Sequence, residues 1–351
     1  MTQLTRDNHF VPQAYLRRWS DDGKRVYCYR TVVAHKRVPE WEPKSIRGVA
    51  YQRDLYTGFA NGQEVDDFER WIKSDFEDPA MEALEKVASN APLGQGDWER
   101  LAMFAAAQDM RTPASFNESM ERWQKELPET LERSVRQSVR RIEEAQSQGL
   151  PLAPGESNSL SSFFKVHINR EDKPTIQVEV TTGRGFWLDS IRHVLTGSAK
   201  IARQHKWSIA EPAGKAEWLT SDHPMLRLNY YERGNYDFRG GWGKHGTELI
   251  LPLSPRHLLY TKVGDGPPDR FTFSPEHTSE VQRLLVERAH RCIVARRPTK
   301  IVGRFRPRQV DPVRLKAEES VWKHWHEEQR KAEEHNAIAG RNQKSQEQRD
   351  R

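Results

Sequence analysis

Between residues 64 and 207 the apolar side chains of this 351-residue chain recur with the period of helices, and from 208 to 297 they fall into the short runs of strands. That segregation constrains the fold more than any other feature. It predicts an α+β architecture, with a helical middle packed on a mixed or mostly antiparallel sheet. Val65, Phe68, Ile72 and Phe76 keep helical spacing, Pro79 interrupts, and Met81, Leu84 and Val87 continue. A second helix is expected from an Asp97 N-cap to about Met110, its buried stripe formed by Leu101, Phe104, Ala105 and Gln108. Ser115–Gly149 reads as a long charged helix, GLPLAPGESNS as a linker, and Leu188–Ala202 as a helix ended near Lys206.

Strand patterns occur at both ends. RVYCYR (Arg25–Arg30) alternates, and CIVAR (Cys292–Arg296) closes the core after a helix near Pro275–His290. The N-terminal strand is expected to join the sheet of 208–297, giving one domain over 1–310 and a charged tail over 311–351. In the tail, Val321, Trp322 and Trp325 are the only candidates to anchor a helical turn, and the final RNQKSQEQRDR is expected to be disordered.

Eleven Trp, thirteen Phe and 36% apolar residues suffice for a sizeable core despite 30% charged residues. Two cysteines, Cys28 and Cys292, give neither a disulfide framework nor a metal-ligand pair. The first residues lack an apolar signal region, and LAMFAAA is far short of the roughly 20 residues of a membrane span. The expected compartment is therefore the cytoplasm, with no membrane partner. The net charge of +6 is concentrated: Arg291–Arg308 holds seven basic residues and no acidic one, so the remainder sums to 6 − 7 = −1. Arg296, Arg297, Lys300, Arg304 and Arg306 are candidates for binding an anion or nucleic acid. A solvated basic loop is the plain alternative.

Four motifs occur in order: HFVPQAYL (His9–Leu16), QDMRTP (Gln108–Pro113), TSDHP (Thr220–Pro224) and LPLSP (Leu251–Pro255). Together they resemble the bacterial domain-of-unknown-function family 4238, over roughly residues 8 to 297. His223 departs from the pattern, which often has Asn there. The resemblance implies homology and no agreed activity, so no role for His223 follows from it.

The residues themselves suggest more. In HFVPQAYLRRWS, Pro12 fits a first helical turn and Tyr15, Leu16 and Trp19 form its buried stripe. His9 stands either at the rim of a site or in a structural hydrogen bond. Gln13 and Arg17 read as surface decoration or as one edge of that site. Gln108 and Arg111, three apart, need partners if they face a core, and Asp222 at a strand end is the candidate. His9, Gln108, Arg111 and Asp222 thus form the candidate catalytic set, with Asp222 as base or Arg111 clamp and His9 as proton carrier. A buried structural network is the alternative.

No P-loop, nucleophile elbow or zinc helix is present. TTGRGF reads as a strand-to-helix turn or an anion site with Arg184, and RGGWGKHG as a loop or lid. No metal set, cofactor or oligomeric state can be read. Three functions remain open: a phosphodiester-acting, nuclease-like hydrolase; a non-catalytic nucleic-acid- or protein-binding module; and a hydrolase of a small anionic metabolite.

Overall fold

A computed structural model describes residues 4–60, 62–150, 163–169, 175–232 and 234–349. The fold is α+β, as the segregated periodicities predict. Helices α1 (Gln13–Leu16), α2 (Asp67–Ile72), α3 (Asp78–Ala88), α4 (Gln95–Met110), α5 (Pro113–Ser147) and α6 (Arg184–Thr196) precede most of the sheet. Helices α7 (Pro275–Arg288), α8 (Ile301–Phe305) and α9 (Pro312–Arg349) follow it. A hairpin, Phe164–Asn169 with Thr175–Val180, interrupts the helical middle. The expected linker over 151–159 lies outside the described residues.

The largest sheet has the spatial order Asn235–Asp237, Leu226–Glu232, Glu248–Pro252, Leu258–Lys262, Ser208–Glu211, Arg270–Thr272. Neighbours run antiparallel except the last pair. A second sheet orders Thr220–Ser221, Cys292–Ala295, Arg25–Arg30 and Glu42–Ser45, all antiparallel. The N-terminal strand therefore pairs with the end of the strand-rich region, but in a sheet separate from the six-stranded one.

Local chemistry corrects several boundaries. Pro79 does not interrupt: it occupies the first turn of α3, where its missing N–H costs nothing. The break falls just before it, as a π turn over Lys73–Glu77. Asp97 is not the N-cap of α4. Gly94 is, and the Asp97 carboxylate reaches back to accept from the Gly94 amide at 2.9 Å. Helix α6 ends at Thr196 and continues only as a 3-10 turn, Ser198–Gln204.

The tail is a helix to Arg349 and is docked rather than free. Trp325 is buried and sits edge-on to Phe116 at 5.8 Å. Arg184, fully buried, donates through Nε and Nη2 to Glu333 at 2.9 and 2.7 Å, and through Nη1 to the Asp54 carbonyl at 3.1 Å. The GRG turn is thus no anion site, because the α9 carboxylate already neutralises its arginine. Trp242 in RGGWGKHG is pinned likewise, donating to Asp109 at 3.0 Å, so that segment is an anchored loop.

A guanidinium buried without its carboxylate is costly, which gives the tail a measurable role. Glu333→Ala is expected to lower the unfolding free energy by about 3 kcal/mol in urea titrations. An unchanged midpoint would mean that α9 only rests on the surface.

Candidate functional site

The four motifs meet in one region through side chains that reach across the fold. The opening strand Asp7–His9 pairs with Tyr51–Arg53, and Pro12 then starts α1. Tyr15, Leu16 and Trp19 are fully buried, the stripe their spacing predicts. The Tyr15 hydroxyl donates to the Pro252 carbonyl at 2.6 Å and lies 2.7 Å from Thr220 Oγ1, joining three motifs at one point. Trp19 Nε1 donates to the Trp218 carbonyl at 2.9 Å, fixing the strand that leads into TSDHP.

Arg111 follows the last turn of α4 and is completely buried. Its guanidinium donates to the Glu77 carboxylate and to the His9 backbone carbonyl, and its Nε lies 3.3 Å from the Tyr56 hydroxyl. The Tyr56 hydroxyl donates in turn to the Arg111 carbonyl. The partner is Glu77, not Asp222. A regular helix through 67–88 would place Glu77 differently; the π turn, adding one residue per turn, aims it at Arg111. Beside this pair, Glu69 has a buried Oε2 without a hydrogen-bond partner. Burial, opposed by Arg111 and assisted by Glu77 and Asp66, pushes its carboxyl up to about 7.

The His9 ring is half-buried at the edge of this cluster. Its Nε2 lies 3.1 Å from the Arg47 carbonyl and its Nδ1 3.5 Å from Gln13 Nε2, and burial lowers its pKa. His9 thus contributes its backbone to Arg111 and a neutral ring to the rim, while Arg17 points to solvent.

Asp222 is committed elsewhere. Its carboxylate accepts from the backbone amides of His290, Arg291 and Cys292 at 2.8, 2.7 and 3.0 Å. Burial pushes this carboxyl up, and His290 and the three amides pull it back toward the ionised form. The bonds fix the start of the strand Cys292–Ala295 and leave no carboxylate edge for a substrate. Arg111 and Asp222 are therefore neighbours of a shared seam without being partners.

The seam closes through the adjacent residues, Thr112 and His223. Thr112 Oγ1 lies 2.7 Å from His223 Nδ1 and accepts from the Ser115 amide at 3.2 Å as N-cap of α5. The hydroxyl oxygen has a second lone pair, so either Thr112 Oγ1 or His223 Nδ1 donates in this bond, according to the imidazole tautomer. The ring's Nε2 is buried with no hydrogen-bond partner. Glu118 Oε1 stands 3.9 Å away, and both Glu118 oxygens accept from Arg288 at 2.6 and 3.0 Å. Burial, with Arg288, His290 and Arg227 acting in the same direction, holds His223 well below the ordinary histidine range. Gln108, four residues before Thr112, is fully buried with both polar ends unpartnered. An amide in that state is what a polar ligand or water would satisfy.

The basic segment is mostly spent inside the molecule. Arg291 pairs with Glu318, Arg296 with Glu217 and Asp21, and Arg297 with Asp21 at 3.4 Å. Arg306 donates to the carbonyls of Val286, Glu287 and Ala289, and Arg308 to those of Pro39 and Lys36. Arg297, Lys300 and Arg304 stay exposed. Among the described residues no ion pair involves Lys300 or Arg304. A hollow of about 340 Å³ next to them is lined by Gly234, Ser279, Glu280, Arg283, Ile301, Arg304 and Phe305.

Of the sequence-predicted set, His9 and Arg111 are brought into contact, Gln108 is buried and unpartnered, and Asp222 belongs to the backbone of the strand start. Glu77, Glu69, His223, Glu118 and Arg288 were missed. Only His223 had a signal, its place inside TSDHP; the others become visible through long-range contacts. Among the described residues no group of three or more His, Cys, Asp or Glu is placed to hold a metal, and no helix is long and apolar enough to cross a membrane.

No curated protein and no solved structure matches the chain. A family model does, over residues 7–299, the span in which the four motifs interlock. The chain belongs to the family described as protein of unknown function, DUF4238.

Proposed function

We propose that the chain acts on a small anionic metabolite, with His223 as a neutral hydrogen-bond donor to the substrate and Arg288, whose partner Glu118 is exposed, supplying positive charge. The observation that carries this reading is the buried, unpartnered Nε2 of His223 beside Arg288 and Arg227; the reading takes it to carry the ring's proton. An imidazole held neutral by burial and cations does not carry charge itself, yet it donates to an oxygen on which charge develops. Gln108 is a further buried group with no partner. Hydrolysis at an acyl or phosphoryl centre is the chemistry that such a donor set suits.

The role separates from that of a proton carrier by substitution. On a panel of anionic esters and phosphate monoesters, His223→Phe is expected to lower kcat by about 10²–10³, the cost of one lost oxyanion donor, whereas His223→Asn retains most of the rate. Equal turnover in wild type and His223→Phe would contradict the assignment. Linkage gives an independent check on the ring's state. Because the folded pKa lies below the ordinary 6.5, the stabilising contribution is present above pH 6.5 and is lost as pH falls toward the folded value. His223→Asn should therefore flatten the acid limb of a stability–pH curve, read by urea unfolding between pH 5 and 7; an unaltered limb would mean that folding does not lower the ring's pKa.

A second reading, a nucleic-acid-binding surface, is favoured by the exposed Arg297, Lys300 and Arg304 beside the hollow that contains Phe305. Three phosphate contacts to a single strand give a slope of about −2 in log K against log salt. Fluorescence anisotropy with a labelled 20-nucleotide single strand measures it, and a flat response would remove this reading.

A further inference from the structure

We infer that the Glu118 carboxylate occupies the seat of a ligand carboxylate, so that the substrate class of the His223 site is a monocarboxylate that displaces Glu118 from Arg288. The inference rests on the reading that His223 faces the ligand. Its evidence is the arrangement of three side chains with sharply different exposure: His223 at 1%, Arg288 at 9% and Glu118 at 45%.

Arg288, the last residue of α7, is held by its surroundings, its guanidinium 5.7 Å above the Phe238 ring and its Nε buried without a partner. Its two terminal nitrogens present a planar fork, the geometry that a carboxylate fits with two parallel hydrogen bonds. Glu118 fills that fork from outside, on an exposed turn of α5. It does so imperfectly, because its nearer oxygen stops 3.9 Å from His223 Nε2, beyond hydrogen-bond reach. A tethered carboxylate satisfies the arginine and leaves the imidazole proton undonated. A free carboxylate, not constrained by the α5 backbone, can take the fork and accept from His223 as well. Arg288 is the cation of this seat; Arg227, which also acts on His223, is paired with Asp109 at 3.2 Å. Glu118 is exposed and can swing into water, whereas the buried Arg288 left behind needs a new carboxylate, which favours the ligand in its place.

Removing the tethered carboxylate should leave a seat that a small acid refills. Glu118→Ala is expected to gain thermal stability from sodium acetate in a saturable manner, with a half-saturating concentration at least tenfold below that of wild type. Sodium chloride at equal ionic strength should not reproduce the gain, and Glu118→Ala/Arg288→Ala should lose it. Glu118→Gln, which keeps the side-chain shape without its charge, should show the same effect more weakly and guards against a misfolded alanine variant. The His223 Nε2–H resonance should shift with acetate in Glu118→Ala. Wild type and Glu118→Ala responding equally, or neither responding beyond chloride, would overturn the seat. Inorganic phosphate outcompeting acetate would overturn the carboxylate class. If acetate binds as expected but His223→Phe leaves turnover untouched, the seat stands and the reading of His223 fails.

Discussion

The interaction on which the rest of this structure depends is the burial of the Arg111 guanidinium. A charge removed from water is tolerated only when its donors meet acceptors, and here three segments far apart in sequence supply one to each guanidinium nitrogen. Glu77 comes from the π turn, a carbonyl from His9, and a hydroxyl from Tyr56. The end of α4, the opening strand and the α2–α3 unit cannot move independently while that arginine is satisfied. Because Arg111 is adjacent to Thr112, the same constraint fixes the hydroxyl that orients His223.

This arrangement divides the polar interior into groups that hold the fold and groups left over. Tyr15, Thr220 and Pro252 lock three motifs together; Asp222 fixes a strand start through three amides; Arg184 and Glu333 bind the terminal helix. Each is satisfied within the protein and has little capacity to hold a substrate. His223 Nε2 and the Gln108 amide are not satisfied, although buried polar groups nearly always are. The proposed chemistry is therefore placed where the network is incomplete, at the meeting of α4, α5, the TSDHP turn and the end of α7.

Much of the fold was legible because it is written in local periodicity. The stripe of Tyr15, Leu16 and Trp19, the burial of Gln108 beyond Phe104, and the strand RVYCYR all follow from spacing. That strand was expected to join the sheet of 208–297, and it pairs with Cys292–Ala295, at the end of that region. The partners of the charged residues were not legible. Glu77 reaches Arg111 only because a π turn breaks the helical period, and no pattern of side chains announces that Asp222 will accept from backbone amides. Thr112 and His223 meet across 111 positions. The basic segment looked unpaired because Asp21, Glu217 and Glu318 lie far from it in sequence.

The most direct test of the central claim is a double-mutant cycle between Arg111 and Glu77, measured by urea unfolding of Arg111→Met, Glu77→Gln and the pair. If the guanidinium is a structural keystone satisfied by that carboxylate, each single change costs about 3–5 kcal/mol and the double change costs little more than one of them. Costs that add to within about 0.5 kcal/mol would show that the two side chains are energetically independent, and the account of the motifs as one interlocked frame would fail.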